Sequence, residues 1–444
     1  TLKFGNGTWA TKKGSTLAYN DEDGNFKPLP FAYTGAGKGT RVNKEGLIEV
    51  VENDRPRIDY KDSAEGVLLL ENASTNRVTY SEDFSNAAWS KINITVEANS
   101  TISPDGTLNA TKVLEQVASA NGHFMFDDLG LIPSVEYNFS IFVKKLNRRY
   151  VALQNSYNTA NGSIAFFDLD TETLVYTYSA GTVGTFVVSD AKIEKYPNGW
   201  YRLSANFQSS ASTGVLPSLV LADSQWSTGF SYNNLYTGDI TKGIYIWGAQ
   251  VEQGSYPTSY IPTQGAASTR SAETASGSGN SEVFNSEQGV LFFEGSALAN
   301  DLTNRFISLT DGSNDNRVLF GYRSASNQIF ARIEGNNSAS VDLTTVSSDT
   351  KINAKITISY DSSYNYKMFV NGFLVDSGVG TDGIIGLDRL DFTNASGTEN
   401  FYGKTKEIAY YDEILTDLEL ETLTSYRTWE SMVKELNLNV IYNG

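Results

Sequence analysis

The sequence predicts an all-β protein, with two β-sandwich domains after an extended N-terminal arm and short helices at the C-terminus. Three observations carry this. Apolar and polar residues alternate through several runs, the period that puts every second side chain on one face of a strand. Asn-Gly pairs, at Asn198-Gly199 and Asn371-Gly372, fall beside such runs, where a two-residue hairpin turn needs two positive φ angles. The composition agrees. Of 444 residues, 12% are aromatic, 19% are charged and 38 are Gly, which suits sheet surfaces joined by tight turns.

Composition also excludes whole mechanisms. With no Cys and one His, there is no thiol nucleophile, no Cys-based zinc site and no disulfide framework. A Ser-His-Asp triad would need His123, which lies in NGHFMFDD with no nucleophile-elbow sequence to serve; a strand-edge histidine is expected. The net charge of −17 argues against a nucleic-acid partner, which needs clustered Lys and Arg. The one basic cluster, Lys144, Lys145, Arg148 and Arg149, reads as a solvated hairpin turn. No apolar run is long enough to cross a bilayer, and no signal peptide opens the chain, so no membrane insertion is expected.

Taken in order, residues 1–78 hold apolar islands at Phe4, Trp9, Leu29 to Tyr33, Leu47 to Val51 and Val67 to Leu70. These are too sparse for a core, so an arm that packs against a neighbour is expected. Residues 79–271 form the first sandwich. In EYNFSIFVKK, Tyr137, Phe139, Ile141 and Val143 share one face, with Asn138, Ser140 and Lys144 opposite. In GWYRLSANF, Tyr201, Leu203, Ala205 and Phe207 face in while Arg202, Ser204 and Asn206 face out. With RRYVALQ, SIAFFDLD, TFVVSD and PSLVLAD this gives roughly eight strands at turn-punctuated spacing, an antiparallel sandwich of jelly-roll type. Its closing strand, IYIWGAQVEQ, holds Gly248, where another chain segment can come close. Pro257 and Pro262 then keep the exit extended. A Gly/Ser-rich linker, residues 272–281, leads to a second sandwich over 282–444. There INAKITISYD sets Ile352, Ala354, Ile356, Ile358 and Tyr360 on one face, and YKMFVNGFLVDSG is a hairpin. Thr416 and Glu419 make a capping box with Leu415 and Leu420 as a staple. A second amphipathic helix is read from Trp429, Met432, Val433 and Leu436.

Several of these stretches carry a family resemblance. WGAQVE followed by TSYIPT and TR resembles the end of a jelly-roll, carbohydrate-binding-like module of bacteriophage tail-fibre and other virion proteins. The order TRVN, GLIE, PRIDY, LLLE, TN resembles the leader that precedes it, with Arg41, Arg57 and Asp59 expected as surface residues that order the leader by ion pairing. SEDFSNAAWSK resembles its first strand, plugged by Trp89. The hairpin at Asn371-Gly372 with GKTKEIAYYDEILTDLELETL resembles the closing half of a laminin-G or concanavalin-A-like domain. The resemblance implies a virion structural protein, a tail- or head-fibre component. It would dock to other virion proteins through its N-terminal arm, present its modules to host-surface glycan, and assemble as a homo-oligomer, by analogy a trimer. Three rivals stand beside this. One is a secreted bacterial carbohydrate-binding protein or the non-catalytic module of a glycan-degrading enzyme. Another is a purely architectural virion protein, and the last a lyase or hydrolase on the same scaffold.

Candidate site residues are few. SQWSTGFSYNNLYTGDITKG fits neither helical nor strand period and reads as a loop at one end of the first sandwich. Trp226, Tyr232 and Tyr236 would stack on sugar C–H groups while Asn233, Asn234 and Asp239 bond hydroxyls. The alternative is that these aromatics fold back as a lid over the sandwich. The loop TDGSNDNR offers Asp311, Asn314 and Asp315 as hard oxygen ligands for calcium, the only cofactor considered, though the same residues make an ordinary β-turn. Asp168 and Asp170 are the nearest thing to a carboxylate pair and read as a solvated edge. No catalytic residue is assigned and no enzymatic activity is expected.

Overall fold

In the computed structural model the chain is described over residues 1–4, 9–12, 15–20, 26–27, 29–119, 121–158, 161–181, 185–210, 216–224, 235–336, 340–426 and 433. It divides into two units, each built from discontinuous stretches. One comprises Gly37–Val50 and Ala73–Arg270; the other comprises Thr1–Ala36, Val51–Asn72 and Ser271–Gly444.

The first of these, the middle unit, is a jelly-roll sandwich of two six-stranded antiparallel sheets. One runs in the order Trp89–Ile92, His123–Asp127, Leu216–Ala222, Tyr150–Asn158, Asn161–Asp168, Thr173–Ala180. The other runs Ile94–Thr101, Ala110–Glu115, Gly243–Gln253, Glu136–Lys145, Trp200–Ser209, Phe186–Tyr196. The alternation read from sequence sets the core: Tyr137, Phe139, Ile141 and Val143 meet Tyr201, Leu203, Ala205 and Phe207, with Val151, Leu153, Leu219 and Leu221 from the facing sheet. Trp89 plugs this core against Phe84, ring centroids 5.1 Å apart. Asn198 and Gly199 take φ of 60° and 75°, the two positive angles that let Tyr196 pair with Trp200.

The polar faces of these strands are not solvated as expected. Asn138, Ser140, Arg202, Ser204 and Asn206 are all buried, because the exit after Gln253 turns back over them. Arg202 donates to the Thr258 carbonyl at 2.8 Å, and Asn206 donates to that of Ser255. The close approach happens at Gly248. Its φ is +62°, a Cβ there would stand 3.0 Å from Phe142 and 3.3 Å from Tyr260, and the pairing register shifts at that point. Trp247, Tyr260, Phe142 and Tyr196 pack there with Val42 and Ile48 from the leader. The basic cluster also differs from expectation. Leu146 to Arg149 joins strands of different sheets, so it is no hairpin, and Arg148 and Arg149 are ion-paired with Glu115 and Asp168.

The other unit is a second sandwich. Its eight-stranded sheet runs Phe373–Val379, Asn365–Val370, Ala354–Tyr360, Gly289–Ala297, Gly403–Tyr411, Val67–Leu70, Arg57–Asp59, with Leu2–Lys3 also on Gly403–Tyr411. Its five-stranded sheet runs Val341–Val346, Gln328–Glu334, Arg317–Tyr322, Arg305–Thr310, Arg389–Asp391. Ala354, Ile356, Ile358 and Tyr360 face the core as the alternation requires. Asn371 and Gly372 form the hairpin turn with φ of 50° and 88°. Thr416 caps helix Asp417–Thr424 through the full capping box, and Leu415 and Leu420 pack on one cluster with Val290 and Phe369. The second expected helix lies outside the described residues except for Val433.

The leader does pack against a neighbour, and that neighbour is the rest of its own chain. Phe4, Phe31, Ile58, Leu68 and Leu70 enter the core beside Phe293, Ile356 and Phe320. Arg57 and Arg41, expected at the surface, are 1% and 3% exposed in their side chains. Arg57 is gripped by Glu71 at 2.8 Å and by Glu273, which also accepts from Tyr33 at 2.8 Å; Arg41 pairs with Glu49 at 2.6 Å. Asp59 is buried and accepts from the Lys61 amide at 3.2 Å. The ion pairing was legible, but burial follows from strand membership, which was not. The expected linker is likewise structured: Thr274–Ser276 pairs with Ala32–Thr34, and Ala275 is fully buried.

Candidate functional site

A sandwich sheet with one face on the core usually turns polar residues to the other. The sheet carrying Tyr150–Asn158 does not. Facing away from the core are Phe124 and Phe126, Val220 and Ala222, Tyr150 and Ala152, Ile164 and Phe166, and Tyr176. Register brings them together, since Ala152 lies opposite both Phe166 and Val220, and Phe166 lies opposite Tyr176. The result is a ladder of rings across three strands. Tyr150 and Phe166 stack at 5.6 Å and 27°, and Phe166 and Tyr176 at 5.3 Å and 14°. Ala152 and Ala222 are small enough to let large rings lie over the sheet beside them. Phe166 at the centre is fully buried, whereas Tyr150, Tyr176 and Phe126 at the rim are half-buried.

Polar groups mark one end of the ladder. Arg149 lies 4.8 Å over the Tyr150 ring and grips Asp168 through two bonds of 2.9 and 2.6 Å. Those bonds hold the Asp168 carboxyl down at about 2, against the opposing effect of its burial. Asp170, on the other side of the turn, pairs with Lys145. Asp168 is therefore a fixed anion rather than a proton donor; the solvated-edge reading holds for exposed Asp170 and is corrected for Asp168, which is buried and ion-paired. Tyr176 adds a buried hydroxyl with no hydrogen-bond partner among the described residues; burial pushes it up to about 12. Only the half-buried rim rings, Tyr150 and Tyr176, with the Arg149 guanidinium at the edge, are placed to meet a flat polar ligand with C–H faces.

Of the loop residues chosen from sequence, Trp226, Tyr232, Asn233 and Asn234 lie outside the described residues. Tyr236 and Asp239 are placed, and both serve to fasten the loop's C-terminal root. Buried Glu115 accepts from the Tyr236 hydroxyl at 2.6 Å and the Asp239 amide at 3.0 Å, and takes Arg148 at 2.5 and 2.6 Å. Tyr236 is 8% exposed, its ring 4.4 Å from His123. It folds back as the alternative reading had it and offers no open face. The Asp239 carboxylate caps Thr241 through its amide and hydroxyl, at 2.9 and 2.7 Å.

The proposed calcium loop is closed on itself. Burial opposes the Asp311 charge, but Ser313 and Asn316 donors outweigh it and hold the carboxyl below its ordinary range. Asn314 accepts from the Arg317 guanidinium at 2.6 Å, which puts a cation where a metal ligand should point. The Asp315 amide donates to Ser313 at 3.2 Å. Among the described residues, no three His, Asp or Glu side chains are placed to hold a metal ion.

The ladder residues were missed because SIAFF was read as an ordinary strand and HFMF only as the run beside His123. Their signal was the absence of alternation: both faces of each run are apolar.

No family model and no curated protein matches the chain. Among solved structures it is similar to the CBM40 module of a Ruminococcus gnavus IT-sialidase bound to α2,3-sialyllactose, at 19% identity over 34% of this chain and 94% of that one, TM-score 0.29. It is also similar to a heptameric SAP-like pentraxin from Limulus polyphemus (13%, 34% and 74%, 0.29) and to domains LG4-5 of the mouse laminin α1 chain (10%, 66% and 86%, 0.24). Scores of this size leave the reading of this chain to its own residues.

Proposed function

We propose that this chain is a structural protein of a bacteriophage virion, a tail- or head-fibre component, whose β-sandwich modules bind glycan on the host surface and cleave nothing. The observation that carries glycan binding is the pair of half-buried rim tyrosines, Tyr150 and Tyr176, stacked on either side of Phe166 on a sheet face that ordinary patterning would make polar. The virion assignment rests on the resemblance of the leader and of WGAQVE–TSYIPT–TR. Those motif residues do related structural work. Asn76 bonds the Ala249 and Ile261 carbonyls and the Val78 and Val251 amides, and Glu252 takes donors from Ser74, Gln250 and Thr258. They close the module.

One observation favours a second reading, an architectural virion protein without sugar binding: the ladder's centre is shut, with Phe166 and Val220 fully buried. A glycan array separates the two. Tyr176→Ala and Tyr150→Ala should abolish binding and, as half-buried rim residues, cost no more than about 1–2 kcal/mol. No binding by the unaltered chain, or binding untouched by both variants, favours the architectural reading.

A further inference from the structure

The second sandwich has a cleft of its own, of about 430 Å³, at one end of its sheets. That is the size of a pocket for one small ligand. The hairpin loop between Ala354–Tyr360 and Asn365–Val370 forms one wall. Its Tyr364 has φ of 63°, a left-handed position that ordinarily takes Gly or Asn. The Asp361 carbonyl holds that turn, accepting from the Tyr364 amide at 2.9 Å. The half-buried ring lies against Gly383, where a Cβ would stand 3.0 Å from it. So an aromatic side chain is carried at the cleft on a backbone that would be easier with none.

Beside Tyr364 the lining mixes Tyr360, Tyr366, Ile384 and Ile385 with polar groups, and its charged side chains are of one sign. Glu287, Asp361 and Asp382 border the cleft with Ser362 and Asn336, and no Lys, Arg or His lines it among the described residues. Asp361 is committed: its carboxylate takes the Ser363 and Asn365 amides at 2.9 and 3.0 Å, and these hold it ionised against the effect of burial. Among the described residues the Asp382 carboxylate has one long bond, from Thr381 at 3.4 Å, while its carbonyl accepts from the Tyr366 hydroxyl at 3.3 Å, and the Glu287 carboxylate and the Asn336 amide group have none. Two carboxylates and an amide are thus left for a ligand beside a tyrosine ring. An anionic sugar would be repelled, and an ammonium group is favoured twice, by the carboxylates and by the ring.

We infer that this cleft is a glycan subsite for a hexosamine with a free amine, the sugar ring lying on Tyr364 and the ammonium between Asp382 and Glu287. The inference rests on the glycan-binding reading above but uses a different unit and different residues. Titration of the full chain with D-glucosamine, followed by ligand-observed NMR, tests it. Binding is expected, with N-acetylglucosamine and glucuronic acid weaker by about tenfold or more. Tyr364→Gly, which suits the backbone, and Asp382→Asn should each weaken glucosamine by about tenfold while the chain stays folded. Tyr176→Ala should leave glucosamine unaffected, so the cleft stands even if the ladder fails on the array. Methylamine should displace glucosamine only at far higher concentration, because it lacks the ring. Absence of glucosamine binding, equal binding of glucuronic acid or methylamine, or binding unchanged in both variants overturns the inference.

Discussion

Asp127 is a carboxylate the fold treats badly. It ends strand His123–Asp127, with 6% of its surface exposed and one oxygen buried without a partner among the described residues. Burial raises its carboxyl from 3.8 to about 6; the Thr79 backbone bond works the other way and the Asp128 charge adds to the rise. A raised carboxyl pKa means the folded state holds the proton longer than the unfolded chain does. Stability from this group is therefore complete below about 3.8, falls as pH rises through that window to about 6, and is flat above it. Asp127→Asn removes the titration. Its melting temperature should exceed that of the unaltered protein at pH 7.5, with the gap closing as pH falls towards 4. A gap that stays constant across that range would mean Asp127 is solvated. Arg57 shows the opposite handling of a buried charge, since Glu71 and Glu273 both compensate it.

Among elements, the root of the Tyr236 loop is held by the Glu115 side chain and by backbone bonds of Tyr236 with Asn121 and of Gly238 with Ala118. Glu115 accepts four donors from Arg148, Tyr236 and Asp239. Glu115→Gln keeps the shape but loses the charge and cannot accept all four. Hydrogen exchange at Tyr236 and Asp239 should then speed up by an opening free energy about 1.5–3 kcal/mol lower, with Glu136–Lys145 unchanged. Equal protection would show that the backbone bonds to Asn121 and Ala118 hold the root without Glu115. What was legible in sequence follows the same logic of local causes. Asn198-Gly199, Asn371-Gly372, the capping box and Gly248 were all readable because backbone sterics fix them within a few residues. The strands Thr40–Val42 and Arg57–Asp59 were not, because three residues show no period and their partners are set by the tertiary fold. Tyr236 could not be assigned to platform or lid for a similar reason. Its fate was decided by Glu115 and His123, more than 100 residues earlier.

At the scale of the whole molecule, the leader is shared between units rather than being an appendage. An arm of residues 1–78 would be removable without loss to either sandwich. The distribution of its residues implies something else. Residues 1–36 belong wholly to the unit that holds the C-terminal sandwich, and they give its core Phe4, Phe31 and Tyr33. Ala32–Thr34 is also the partner strand of Thr274–Ser276, and the Tyr33 hydroxyl helps satisfy Glu273, which grips Arg57. Deleting residues 1–36 opens a cavity where Phe4 sits fully buried; a buried Phe alone is worth about 3–5 kcal/mol. The stretches that make up the middle unit, Gly37–Val50 and Ala73–Arg270, all remain. Hydrogen exchange read segment by segment should therefore show protection falling in Gly289–Ala297 and Ala354–Tyr360 and holding in Glu136–Lys145 and Trp200–Ser209. If both sandwiches keep their protection, the leader is a detachable arm after all. If both lose it, the middle unit depends on residues the structure assigns elsewhere.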